Sequence, residues 1–217
     1  MSRIETLADG VTLHLGDCLE ILATLPKHDA LITDPPYGIS INKSHRLSTS
    51  RGHGGETWDD APADISWLLP MNVPSIIWGG NYFPLPPTRC DLVWDKINEG
   101  RDFADFERAW TNLDQVSRIY RMRPMNMDGG KVHPTQKPIG LMKWCIGHLP
   151  AGTMTILDPY MGSGSTGVAA VKMGRKFTGI EISEKYFDIA CKRIEQALAQ
   201  PDMLIEQEKK PEQIGLI

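Results

Sequence analysis

Two short stretches carry side chains whose types and spacing could do chemistry. The first is TDPPYG, Thr33 to Gly38, which puts one carboxylate, two prolines and one aromatic ring at the end of the apolar run Ala30-Leu31-Ile32. A residue that precedes proline is pushed toward extended backbone, so Asp34 and Pro35 are both held extended and no helix can begin there. The Asp34 carboxylate and the Pro35 carbonyl can then face one point as two acceptors. An exocyclic amino group with two N–H donors suits that pair, and Tyr37 offers a face on which a base could stack. A plain turn after a buried strand would use the same residue types, so these four residues alone do not decide.

The second stretch is DPYMGSGSTG, in which Gly162, Gly164 and Gly167 satisfy the G-x-G-x-x-G pattern between a strand and a helix. Tight strand-to-helix turns also take glycines for backbone reasons alone. Glu181, the acid that ends the next strand, sits where a ribose-binding carboxylate belongs and points to an adenosine ligand. Asp158 occurs four residues before the first glycine, at the strand tip, where a pyrophosphate would be repelled. A ligand with an ammonium group close to its adenosine would be attracted. S-adenosylmethionine has that group, so the carboxylate favours it over NAD.

The elements that must position these stretches follow from hydrophobic periodicity. Strands are predicted at 11–15, 30–32, 75–78, 91–96, 117–123, 154–157 and 176–180, and helices at 19–25, 63–71, 138–149, 168–173 and 183–199, the last with Ser183 as N-cap. Residues 103–110 read as helix or irregular chain. The polar, Gly-rich stretch 39–60 reads as a long mobile loop, and residues from Pro201 onward as a loose tail. Strands alternating with helices imply an α/β domain, a mostly parallel sheet with helices on both faces. About 55 residues follow Gly162, enough for one helix, one strand and a final helix. The rest of the sheet must come from upstream, so the domain reads as a circularly permuted Rossmann-like fold with its catalytic half first.

The totals exclude several classes. With 217 residues, 41% hydrophobic and 23% charged, one domain is the default, and no apolar run reaches the roughly 18–20 residues of a membrane span. No secretory signal opens the chain, and the cytoplasm is the expected location. The four cysteines (Cys18, Cys90, Cys145, Cys191) form no metal-ligand spacing and read as reduced thiols, so no metal is expected. A net charge of −4 argues against coating nucleic acid, so any contact with it must be local.

The motifs GDCLEIL, TDPPYG, IIWGGNYF, VHPTQKPIGLMKWC, LDPYMGSGSTGVAA and GIEISEKYFDIA, in that order, resemble the amino-group-specific DNA methyltransferases, in the subgroup whose catalytic motif precedes the cofactor loop. The resemblance covers nearly the whole chain and is strongest to short proteins of phages and mobile elements. It implies a domain over 1–200, with a catalytic half 1–95, a short target-recognition region 96–131, a cofactor half 132–200 and a flexible tail 201–217. It also implies transfer of a methyl group from S-adenosylmethionine to the N6 amino group of an adenine flipped out of duplex DNA.

In the roles that the family assigns, Asp34, Pro35, Pro36 and Tyr37 hold the base, and Asp34 also borders the cofactor. Asp158, Gly162, Ser163, Gly164 and Thr166 surround the methionine part, Glu181 the ribose, and Asp17 with Cys18 the adenine. His133, Thr135 and Lys137 lie near the methionine carboxylate. DPPY more often accompanies adenine and SPPY cytosine-N4, which leaves N4 of cytosine as the alternative target. No cysteine follows a proline, so ring-carbon methylation through a thiolate is set aside.

For DNA the basic residues are Lys43, Arg46 and Arg51 in the long loop and Arg118, Arg121 and Arg123 before the cofactor half. So small a recognition region leaves three readings open: a short recognition site, a homodimer in which a second copy completes the grip, or relaxed specificity. Methylation of RNA or protein, a NAD-dependent oxidoreductase and a cofactor-free binding module are rival classes. The first rival usually places its motif after the glycine loop, and the second leaves Asp158 and DPPY without a role.

Overall fold

A computed structural model describes residues 3–39, 61–98, 104–124 and 136–200. Strand β1 (Arg3–Ala8) turns back at Gly10, whose φ of +72° favours glycine, into β2 (Val11–Leu15). Helix α1 (Cys18–Leu22) follows, its first turn capped by the Asp17 side chain, which accepts from Leu19 N at 2.8 Å. Then come β3 (Ala30–Thr33), β4 (Ser75–Trp78), β5 (Asp91–Asp95), β6 (Phe106–Thr111) and β7 (Arg118–Arg121). The second half supplies α2 (Ile139–Ile146), β8 (Thr155–Asp158), α3 (Ser165–Lys172), β9 (Lys176–Glu181) and α4 (Glu184–Ala199).

Among the described residues these strands form one nine-stranded sheet in the order β1-β2-β9-β8-β3-β4-β6-β5-β7. The five strands from β2 to β4 run parallel, which requires crossovers and buries both faces. Antiparallel pairing enters at β1 on one side and around β6 on the other. The decisive neighbours are β3, from the first half of the chain, and β8, from the second, with Ala30 opposite Ile156 and Leu31 opposite Leu157. That adjacency is the permuted arrangement expected from the late glycine turn.

Strand alternation sorts the core into two faces. Ile32, Ile76 and Ile156 pack with Leu141, Met142, Val168, Phe187 and Ile194 of α2, α3 and α4, whereas Leu31, Ile77 and Leu157 pack with Ile65, Leu68 and Phe83. The second face is covered by irregular chain and by Leu22 of α1 rather than by long helices.

Two expectations about elements are corrected, and Ser183 is found at the N-cap of α4 as expected. Residues 63–71 form turns and a short 3-10 helix at Leu69–Met71, not an α-helix. Pro70 lacks an N–H and disfavours helical backbone at Leu69, and the Asp64 carboxylate accepts from Ser66 N at 2.9 Å in a competing local turn. Residues 106–111 are a strand, because β6 is paired on both sides, by β4 and β5, and that pairing overrides a helix-tolerant composition. Ser183 stands at the N-cap of α4 without a side-chain capping bond; instead its N–H donates to Glu181 Oε1 at 2.8 Å. Strand β1 was not expected at all, since its burial is only partial. No helix among the described residues is long and apolar enough to cross a membrane.

Candidate active site

The tips of β3 and β8 meet. Thr33, the last residue of β3, donates its hydroxyl to Asp158 Oδ1 at 2.9 Å, and Tyr160 N donates to the same oxygen at 3.1 Å. Asp158 is 2% exposed, and burial pushes its carboxyl up to about 7, against the pull of the Thr166 and Thr33 hydroxyls. A cavity of about 430 Å³ opens over these tips, inside the range of about 300–1,000 Å³ usual for small-molecule sites. Its wall takes Asp17 and Cys18 from the start of α1, Thr33, Asp34 and Pro36 from the end of β3, Lys137 from the approach to α2, Gly162 and Ser163 from the glycine turn, Thr166 from the first turn of α3, and Glu181 from the end of β9. Both expected stretches therefore border one space.

Backbone geometry accounts for the three glycines. Gly162 has φ +52° with open space around a would-be Cβ, so conformation alone demands glycine there. Gly164 has φ +78° and lies so close to α4 that a Cβ would come within 2.9 Å of Ala190 Cβ. It does not line the cavity, unlike Gly162. Gly167 admits the side chains of Phe177 and Ile194. Glu181 accepts from Gly162 N at 2.9 Å and Ser183 N at 2.8 Å, so it ties the turn to the start of α4; burial raises its carboxyl to about 6. The Ile182 N–H bonds to the same carboxylate, which leaves one lone pair. From outside, Arg193 of α4 braces the same turn, its Nη1 donating to Ser163 O at 2.5 Å and to Ser163 Oγ at 2.8 Å.

Asp34 sits in a dense polar cluster. The Tyr37 hydroxyl donates to Asp34 Oδ1, and Lys137 Nζ lies 2.5 Å from Asp34 Oδ2. Burial and the neighbouring Asp34 hold the Tyr37 phenol well above its ordinary range, so it remains a donor. Lys137 is 5% exposed, and its ammonium also lies 3.1 Å from Glu107 Oε2. It is not a surface lysine. It was expected near a ligand carboxylate and is found paired with two protein carboxylates, although it still borders the cavity. Burial acts against its charge, but Asp34 and Glu107 outweigh that and raise its pKa. Burial likewise pushes Asp34 up, opposed by Lys137.

Tyr37 is set edge and face. Its ring stacks on Tyr82 with centroids 4.8 Å apart at 13°, and meets Phe83 edge-on at 6.2 Å. Gly79, at the tip of β4, has φ +71°, and a Cβ there would lie 2.1 Å from the Tyr37 ring. Gly79 of IIWGGNYF thus makes room for the ring of TDPPYG, while Gly80 makes room for Trp110. The Pro36 carbonyl is taken by Ala63 N at 3.0 Å, which pins the stretch to residues 61–63.

Pro35 and Tyr37 stand beside the cavity rather than on its wall. Arg118, Arg121 and Arg123 are exposed on or just after β7, four strands from β3 and so roughly 19 Å away. Arg121 Nε lies 3.1 Å from Asp95 Oδ2. Lys43, Arg46, Arg51, His133 and Thr135 lie outside the described residues. Glu107, Lys96, Tyr82 and Arg193 were not singled out from the sequence. Only Tyr82, inside IIWGGNYF, had a local signal. Among the described residues, no group of three or more His, Cys, Asp or Glu side chains could hold a metal ion. Burial pushes the Cys18 thiol up, so the cysteine on the cavity wall stays protonated.

Comparison with known proteins places this arrangement. A family model described as DNA methylase, of the N6/N4 methyltransferase type, matches residues 88–192. The Type II methyltransferase M.HinfI of Haemophilus influenzae is 37% identical, over 94% of this chain and 74% of its own length. This chain belongs to the amino-group DNA methyltransferases. Solved members share the fold: the crystal structure of the M1.HpyAVI–SAM complex superposes with a TM-score of 0.57 at 24% identity, covering 84% of this chain and 98% of that one. The PvuII DNA methyltransferase, cytosine-N4-specific, gives 0.56 at 16% identity, covering 87% and 89%. Membership in the methyltransferase family fixes the reaction class as N6 or N4 amino methylation of DNA, and leaves the base to be argued.

Proposed function

We propose that this methyltransferase moves a methyl group from S-adenosylmethionine to the N6 amino group of an adenine flipped out of double-stranded DNA. The observation that carries the reading is the shared cavity between the tips of β3 and β8, in which Asp34 and Asp158 sit on one wall. The residues present fit the cofactor. Asp158 is a buried acceptor whose ionisation waits for a cation, and the ammonium of the methionine part supplies one. Ser163, Thr166 and the turn at Gly162 line the methionine part, Glu181 offers its remaining lone pair to the ribose, and Asp17 with Cys18 borders the adenine.

When bound, the cofactor supplies an electrophilic methyl group on sulfonium sulfur. The chain's own residues orient the acceptor. Asp34 and the Pro35 carbonyl accept the two N–H bonds of the target amine, which draws its lone pair out of conjugation and aims it. The proton shed as the new bond forms has Asp34 beside it. The Tyr37–Tyr82 pair gives a flat aromatic wall for the extruded base. Arg118, Arg121 and Arg123, with Lys43, Arg46 and Arg51, are assigned to phosphates, residues 96–131 to base reading, and 1–95 and 132–200 to the catalytic and cofactor halves. Adenine is preferred over cytosine because the motif opens with Asp34; the same acceptors would serve N4 of cytosine.

The test is incubation with methyl-labelled S-adenosylmethionine and unmethylated duplex DNA, followed by nucleoside analysis. Label in 6-methyladenine is the expected result. Label in 4-methylcytosine would move the assignment to the alternative, and label only in RNA or protein would overturn it.

Cofactor affinity is expected to rise with pH. A cation beside Asp158 binds the ionised carboxylate, so binding lowers that pKa and releases a proton. With Asp158 at about 7 in the free protein, affinity should be level above about pH 8 and roughly tenfold weaker at about pH 6, because the ionised fraction falls tenfold per unit below the pKa. Asp158→Asn should weaken binding at high pH and flatten the profile. Calorimetry in buffers of different ionisation enthalpy reads the proton directly, and a flat wild-type profile would contradict the assignment.

A further inference from the structure

Lys137 carries two carboxylates, and only Asp34 belongs to the motif that holds the base. Beyond it lies Glu107 of β6, whose Oε2 is 3.1 Å from the Lys137 ammonium and whose Oε1 is 2.5 Å from Lys96 Nζ. The charges alternate from the cavity wall to the antiparallel edge: Asp34, Lys137, Glu107, Lys96. All four are largely out of water, with side chains 22%, 5%, 26% and 14% exposed. Glu107 is directed there by its register, opposite Trp94 of β5, while Lys96 leaves the same ladder through a backbone bond from its N–H to Asp105 O at 2.8 Å.

Such a chain is a costly way to stabilise a fold. Desolvating ions offsets most of their attraction, and apolar packing of similar volume is often as stable or more so. Its value is therefore sought at the end that touches the cavity. Asp34 gives one lone pair to the Tyr37 hydroxyl and one to Lys137, leaving one on each oxygen. Where those point depends on where the ammonium stands. A lysine is a compact charge on a flexible stem and does not fix its own position. With Asp34 as its single anion the ammonium could swing about that carboxylate; a second anion 3.1 Å away fixes its direction.

We propose that Glu107 is a positioning residue for methyl transfer: as the second carboxylate on the Lys137 ammonium it fixes where that charge stands, so that the Asp34 carboxylate keeps its free acceptors turned to the cavity. This rests on the function proposed above. Lys96 completes the device by keeping Glu107 in place and compensating its charge. Burial alone would raise Glu107, yet Lys137 and Lys96 bring it down to about 2, so it stays ionised wherever the enzyme works.

The electrostatics give the experiment a signature that loss of folding would not produce. The Glu107 charge pushes Asp34 up, so Glu107→Gln should move the acid limb of the pH–rate profile to lower pH. Lys96→Met leaves Glu107 with Lys137 as its cation and draws the ammonium off Asp34, so its acid limb should move to higher pH. Single-turnover transfer from labelled S-adenosylmethionine to unmethylated duplex DNA, over about pH 5 to 9, reads both. In Glu107→Gln the plateau rate should fall by up to about 100-fold, the cost of a roughly 1 Å misplacement of reacting groups, with cofactor affinity unchanged within a few-fold. A plateau rate within twofold of wild type, or a loss that tracks the folded fraction with an unmoved limb, would overturn the proposal. Should Glu107→Gln not fold, the Lys96→Met limb decides alone: an upward shift supports the device, an unmoved limb removes it. Wild-type protein that transfers no label to DNA would sink the function proposed above and this role with it, whereas an active wild type with unmoved limbs in both variants would sink the role of Glu107 alone.

Discussion

Asp34→Asn is expected to lower the rate of methyl transfer by about 10²–10⁴-fold, the range lost with a positioned acid–base group, while S-adenosylmethionine still binds within a few-fold of wild type. The amide keeps the shape of the carboxylate and one acceptor oxygen, but its NH₂ must now face either the Lys137 ammonium, 2.5 Å from Asp34 Oδ2, or the incoming amine. Either way a donor meets a donor. Cofactor binding is spared because its anchors are Asp158, tied to Thr33, and Glu181, tied to Gly162 and Ser183, and none of these bonds involves Asp34. The loss should appear in the single-turnover rate, with affinity read by calorimetry. Transfer at a wild-type rate would take Asp34 out of the chemistry, and a parallel loss of cofactor binding would make it a structural residue.

That separation between two carboxylates was legible in the sequence, because each ends an apolar strand and each is followed by residues that cannot continue it. Thr33-Asp34-Pro35 and Leu157-Asp158-Pro159 are local signals, and the glycine turn between β8 and α3 is another. What adjacent residues dictate, adjacent residues reveal. Glu107 shows the opposite case. In FADFERAW it is one more charged residue in a stretch that suits a helix as well as a strand, and its partners Lys96 and Lys137 lie eleven residues before and thirty after it. Only pairing on both sides of β6 makes it a strand residue, and only the completed sheet brings it under Lys137. Lys137 itself was expected to meet a ligand. Its actual neighbours are protein carboxylates because α2 begins beside the tip of β3, a fact of tertiary packing that no periodicity encodes. The Tyr37–Tyr82 stack falls between: both residues stand in recognisable motifs, but the need for Gly79 beneath the ring is visible only in the backbone.

Lys137→Met is expected to destabilise the protein by about 3–5 kcal/mol at neutral pH, the cost of removing one partner from a buried ion pair. Methionine replaces most of the stem volume, so the loss is electrostatic rather than a cavity. Two carboxylates, Asp34 and Glu107, are left near each other, with Lys96 the remaining cationic partner of Glu107 among the described residues. The sign of the pH dependence follows. Lys137 opposes the effect of burial on Asp34 in the wild type; without it the folded-state pKa of Asp34 rises further above its unfolded value of about 3.9. A group raised in this way is protonated more readily in the folded state, so the stability of the variant falls as pH rises through that interval and recovers as pH falls. The difference between variant and wild type should therefore narrow on going from about pH 7 to about pH 5, measured by denaturant unfolding at each pH. Adding Asp34→Asn to the variant should recover part of the loss at pH 7, because the uncompensated charge is gone, yet leave transfer as low as in Asp34→Asn alone. A gap that stays constant with pH, or a double variant no more stable than Lys137→Met, would show that Lys137 contributes through packing and not through the charge it places between the two carboxylates.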